Sequence, residues 1–144
     1  MNPKQFLTVG GAILVLLAIV GYLGVFSTEG SFFWLDSAEN NAHLFLGVVA
    51  LAAVYVPGLN SALAPYYKPI VILVGAISLF FGVYGFAVAG NAVPNTFGTG
   101  NLESPADNLL HLVVGAWAMW AALHKQPMMR RRWQCSRALG YRRH

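Results

Sequence analysis

Asn40-Asn41-Ala42-His43-Leu44-Phe45-Leu46-Gly47 is echoed 68 residues later by Asn108-Leu109-Leu110-His111-Leu112-Val113-Val114-Gly115. Both read N-x-x-H-L-x-x-G, and each opens a long apolar stretch. A polar Asn–His pair at the mouth of a membrane helix is costly, so its repetition points to a site built from duplicated halves. The duplication reaches further. Gly11-Ala12-Ile13 followed by Gly21 returns as Gly75-Ala76-Ile77 followed by Gly85, at an offset of 64. The change of offset from 64 to 68 makes the outer loop of the second half about four residues longer.

Composition sets the class. Hydrophobic residues make up 57% of the chain and charged residues 10%, against about 25% charged in soluble domains. The runs Phe6–Phe26, Ala42–Val56, Ile70–Ala89 and Leu109–Leu123 hold no Lys, Arg, Asp or Glu. About 20 apolar residues cross a bilayer as a helix. The first and third runs reach that length; the second and fourth draw on their flanking Asn–His turns, and the second can extend past Pro57 toward Ala64. The expectation is an all-α four-helix transmembrane bundle made of two parallel two-helix repeats. The bundle covers residues 1–124, with repeat one at 6–58 and repeat two at 69–124. Residues 125–144 form a basic cytoplasmic tail.

Charge gives the topology. All nine Lys and Arg residues lie at Lys4, at Lys68 or in the tail, whereas Glu29, Asp36, Glu39, Glu103 and Asp107 occupy the other two loops. The positive-inside rule places both termini and the Lys68 loop in the cytoplasm and the acidic loops outside. Trp34 with Phe32 and Phe33, and Tyr66 with Tyr67, fall where aromatic belts are expected. The first run is long for a signal peptide and no A-x-A-like site follows it, so it is read as part of the fold. Cys135, the one cysteine, excludes an intrachain disulfide.

Helical spacing selects the faces that meet. Asn40, His43, Gly47, Ala50 and Val54 form one stripe, and Asn108, His111, Gly115, Ala118 and Ala122 form its counterpart. Gly75, Ser78, Gly82 and Gly85 line the third helix, and Gly11, Ala18 and Gly21 the first. Small residues let membrane helices approach closely. Both His residues are expected to point inward, with bulky Leu, Phe, Val and Trp facing lipid.

Two chemistries suit the imidazoles. His43 and His111, as paired axial ligands at equal depth, could hold a b-type haem or a chlorin pigment. Gly47 and Gly115 would then leave room for the macrocycle, and Asn40 and Asn108 would orient a ring N–H. A metal ion shared by His43, His111, Glu39 and Asp107 is the second chemistry, since an acid stands four residues before each His. The plain reading stands beside both. Ser37, Asn40, Asp107 and Asn108 would be helix caps, the acids would favour the helix dipole, and the glycines would serve packing.

Function follows from what these pieces allow. No H-E-x-x-H, G-x-S-x-G or phosphate-binding glycine loop occurs, which argues against an enzyme. Nor does any acid lie at mid-membrane, where a proton-coupled transporter would carry one. The expected role is non-enzymatic: a structural or accessory subunit of a larger membrane complex or homo-oligomer. A haem- or chlorin-binding protein and a small oligomeric transporter are the alternatives. Arg130, Arg131, Arg132 and Arg137, interleaved with apolar residues, suit anionic lipids at the cytoplasmic leaflet rather than nucleic acid.

The phrase Asn108…His111-Leu112-Val113-Val114-Gly115-Ala116-Trp117 resembles an N-x-x-H-L-x-x-G-x-W signature of a family of small four-helix bacterial integral membrane proteins of unknown function. The likeness extends loosely over residues 6–124. It implies a four-helix fold in the bacterial cytoplasmic (inner) membrane and supplies no activity. Val49 stands where the first phrase would carry the Trp, and the Arg-rich tail departs from the family's pattern.

Overall fold

A computed structural model describes residues 1–25, 33–92, 94–98 and 100–124. Glu29, Phe32, Cys135 and the tail arginines Arg130, Arg131, Arg132 and Arg137 lie outside the described residues. The elements are α1 (Pro3–Tyr22), α2 (Ser37–Tyr55), α3 (Pro57–Leu63), a 3-10 turn (Ala64–Tyr66), α4 (Tyr67–Val88) and α5 (Ala106–Leu123).

Three helical stretches are long and apolar enough to cross a membrane: α1, the run Pro57–Val88 that contains α4, and α5. The sequence predicts four. The second helix falls short because its first two turns carry Glu39, Asn40, Asn41 and His43, which dilute an otherwise apolar 19-residue helix. It ends where Val56 turns extended (ψ 117°), as expected of a residue before proline. The continuation toward Ala64 is therefore the separate short helix α3.

Local chemistry explains the helix ends. Asn2 and Gln5 form a reciprocal capping box at α1, with Pro3 in the first turn. Asp36 and Glu39 do the same at α2. The cap of α2 is thus Asp36, not Ser37 or Asn40, and α5 starts after Pro105 without a side-chain cap. At the far end of α2, Tyr67 Oη donates to Ala53 O (2.7 Å) and Asn60 Nδ2 to Val54 O (2.7 Å). These bonds occupy carbonyls at a helix terminus that lack an intrahelical partner. Tyr67 is thereby buried instead of sitting in an interfacial belt; Tyr66 beside it is exposed.

Two helix pairs carry most of the packing, α1 with α2 and α4 with α5, and α1 also touches α4 and α5. Close approach depends on glycine. A Cβ at Gly11 would meet Ala50 Cβ, Gly47 O and Leu51; one at Gly75 would meet Ala118 Cβ, Gly115 O and Met119. Toward the opposite end of each pair, a Cβ at Gly21 would collide with the Asn40 amide and one at Gly85 with the Asn108 amide. The buried positions of α1, α4 and α5 include the small-residue stripes read from the sequence.

Phe6, Leu7, Val54, Tyr67, Val71, Ala118, Ala121 and Ala122 form the apolar core near the start of α1. Trp117 joins it edge-on to Phe6, with ring centroids 4.7 Å apart, and its Nε1 donates to Met1 Sδ. Trp117 and Phe6 thus turn inward, contrary to the expected outward placement of bulky residues. The outer surface remains strongly apolar, with Leu16, Phe45, Val83 and Val113 all exposed.

Candidate functional site

Among the described residues, most of the buried polar side chains gather at the end of the bundle where α2 and α5 begin: Asn40, Asn101, Asp107 and Asn108. Asp36 Oδ1 accepts from Glu39 N (2.8 Å), and Asp36 N donates to Glu39 Oε2 (3.2 Å). The α4–α5 connection folds over this cap. Asn95 exchanges two hydrogen bonds with the Leu102 backbone (2.9 and 3.2 Å), and Thr96 and Gly100 close a small antiparallel bridge. That geometry presents Asn101 N to Asp36 Oδ2 (3.0 Å) and Asn101 Nδ2 to Glu103 Oε1. Glu103 N in turn donates to Asp107 Oδ2 (3.0 Å), which fixes the first turn of α5.

Glu39, Glu103 and Asp107 are brought together by this stitching. One carboxylate oxygen from each lies within 4.8 Å of the others. Glu39 comes from α2 and the other two from the far side of the seam, so the cluster joins the two helix pairs. It stands ahead of the apolar run that begins at Ala42. Burial raises the Glu39 carboxyl to about 9, reinforced by repulsion from Asp107 and Glu103. Glu103 is raised to about 8, first by burial and then by its contact with Asp107. Desolvation and like charge both favour the neutral acid.

Below the acids stand the imidazoles. His111 Nδ1 lies 2.8 Å from Asp107 O. A carbonyl only accepts, so Nδ1 carries a proton, and in the neutral imidazole the lone pair is on Nε2. The ring leans on Phe81, with centroids 6.0 Å apart. His43 lies within electrostatic reach of His111, Asp107 and Asp36. Its Nδ1 is buried with no partner among the described residues.

The other predicted site residues are occupied differently. Asn108 is fully buried, and neither polar atom of its amide finds a partner among the described residues. Asn108 and Asn40 press onto Gly85 and Gly21 rather than onto a His ring. A Cβ at Gly47 would meet Gly11 O and Val15, and one at Gly115 would meet Leu79. The space beside both glycines is filled by the neighbouring helix. Ser78 Oγ crosses to donate to His111 O at 2.7 Å, tying α4 to α5 one turn into the phrase.

Asp36, Asn101 and Glu103 belong to the cluster and were missed as site residues in the sequence. One signal was available: the stretches leading into α2 and α5 carry all five acids and no Lys or Arg. The chain, compared with family models, curated proteins and solved structures, matches none of them.

Proposed function

We propose that the chain is a non-enzymatic multi-pass membrane protein, a structural or accessory subunit of a membrane assembly, built as two parallel two-helix repeats. The observation that carries this reading is a filled interior inside an apolar exterior. Gly11, Gly47, Gly75 and Gly115 are used up in helix-to-helix contact, so among the described residues the space beside each of them is filled by the paired helix. The repeat reading is supported by contacts that recur at the 64- and 68-residue offsets. Gly11 with Ala50 matches Gly75 with Ala118, and Gly21 with Asn40 matches Gly85 with Asn108.

In this reading α2 is the fourth span. It lies along α1 from the Gly21–Asn40 end to the Gly11–Leu51 contact. A 19-residue helix is about 28 Å long, close to the roughly 30 Å hydrocarbon thickness. Whatever slab contains α1 therefore contains the apolar part of α2. The segregated charges support cytoplasmic termini in a bacterial inner membrane, with the acidic cluster outside and the basic tail on anionic lipids.

A second reading keeps His43 and His111 as tetrapyrrole ligands. The contact of His111 Nδ1 with Asp107 O favours it, because a ligating His usually fixes its other nitrogen in this way. The test is paired: an absorption spectrum of the purified full chain, oxidised and reduced, and native electrophoresis of mildly solubilised membranes. The accessory reading predicts a colourless protein migrating well above its monomer mass. A Soret band lost in both His43→Ala and His111→Ala, on a monomeric protein, would replace it with the tetrapyrrole reading.

A further inference from the structure

We propose that Glu39, Glu103 and Asp107, completed by the Asn101 side-chain oxygen, form a binding site for a hard divalent cation of the calcium class at the seam between the two helix pairs. The site stands on its geometry and does not depend on how the chain is oriented in a membrane.

Each carboxylate is divided in the same way. Glu39 Oε2, Glu103 Oε1 and Asp107 Oδ2 are held by Asp36 N, Asn101 Nδ2 and Glu103 N. Among the described residues no such bond is made to the second oxygen of Glu39 or Asp107, and Glu103 Oε2 is buried without a partner. One carboxylate oxygen of Glu103 lies within 4.8 Å of one from Asp107, close enough that a cation between them would relieve their repulsion. The sequence offers no Lys or Arg for that role, because none occurs between Lys68 and Lys125 or between Lys4 and Lys68.

Asn101 supplies the independent observation. It is 8% exposed, and its Oδ1 has no hydrogen-bond partner among the described residues. Its Nδ2 is anchored on Glu103, so the same amide group lies against the cluster. A buried amide oxygen without a donor asks for an electrophile. Carboxylates plus an Asn carbonyl make the all-oxygen donor set that calcium uses, with water completing six to eight ligands. Oxygens on opposite sides of calcium stand about 4.8 Å apart, and the clustered oxygens fall within that span. Magnesium demands a tighter octahedron, whereas zinc would call on the imidazoles.

The test uses the full chain in detergent, stripped with chelator and titrated with CaCl2 at pH 7.5 by calorimetry, with thermal unfolding in parallel. We expect saturable binding of one Ca2+ per chain and a higher Tm with calcium. Glu103→Gln, and separately Asn101→Ala, should weaken binding at least tenfold while the chelated variants stay folded. Ser61→Ala, at the other end of the bundle, should leave the affinity unchanged. Magnesium acting at the same residues would also support the site. Three results would overturn it: no saturable calcium or magnesium binding to the folded wild type, binding undiminished in both cluster variants, or zinc as the one divalent metal bound.

Discussion

The two helix pairs share their packing and differ in their polar bonds. In α1–α2, Asn40 lies on Gly21; in α4–α5, Asn108 lies on Gly85. One level further along, Gly11 and Gly75 make the same contact with Ala50 and Ala118. Polar bonds break the match. Tyr22 Oη donates to Asn41 Oδ1 (2.7 Å), while the positions at the same offsets hold Phe86 and Leu109. Ser78 bonds the His111 carbonyl, and its counterpart is Leu14. Trp117 packs on Phe6, and its counterpart Val49 is exposed. Packing is the shared part of the design; specificity sits in what each half does not share.

The sharpest way to break the equivalence is to add a methyl group where the amides lie. Gly21→Ala and Gly85→Ala should each destabilise by about 1–3 kcal/mol, the range of overpacking effects, because the buried side-chain amide of Asn40 or Asn108 must be displaced. The two losses, measured by denaturation in detergent, should agree within about 1 kcal/mol if the locks are equivalent. A tolerated alanine at one glycine alone would end the equivalence.

Next comes the contact between the pairs. Trp117→Ala should cost about 2–3 kcal/mol, below the range for a fully buried Trp because the ring is half-buried. Val49→Ala, at the matching position, should cost under about 1 kcal/mol because Val49 is exposed. Equal losses would place Trp117 outside the seam.

The acidic seam predicts a pH dependence in chelator. Glu39 and Glu103 titrate near 9 and 8 when folded, against a reference of 4.5. The folded state therefore holds protons that the unfolded state releases. Their contribution is fully present below about pH 4.5 and is lost as pH rises through 8 to 9. Tm should fall by a few °C between pH 5 and pH 9. Asp36, Glu103 and Asp107 all face Glu39, so Glu103→Gln should flatten the profile as well as lift its alkaline limb. A Tm that rises with pH would contradict the assignment.

Smaller effects separate the polar bonds of the two halves. Ser78→Ala should cost about 1 kcal/mol, the ordinary worth of one hydrogen bond. Gly58→Ala should stabilise slightly, by up to about 1 kcal/mol, since nothing lies near its added Cβ and α3 gains a better helix former.

Much of this was legible in the chain. The glycine and alanine stripes named the faces that meet, because close packing of apolar helices leaves small residues at fixed spacing. The inward turn of Tyr67 was not legible. Its hydroxyl answers a carbonyl on α2, and an aromatic beside a lysine reads equally well as an interfacial anchor. The role of Gly47 and Gly115 was half legible: the need for space showed, and the filling of that space by Val15 and Leu79 did not. Asn101 and Glu103 were hidden for a different reason. They lie on a loop with no helical period, and their link to Asp36 spans 65 residues of sequence.

The most direct test of the central claim asks whether α2 crosses the membrane, since the parallel arrangement of the halves depends on it. Single cysteines would be placed at Ser37, Ser61 and Gly90, all exposed in the structure, in a Cys135→Ser background. Intact cells would then be treated with a membrane-impermeant maleimide. The account predicts labelling at positions 37 and 90, with position 61 protected until the membrane is opened. Labelling of 37 and 61 from the same side would contradict it, because α2 would then lie along the surface and the halves could not be parallel.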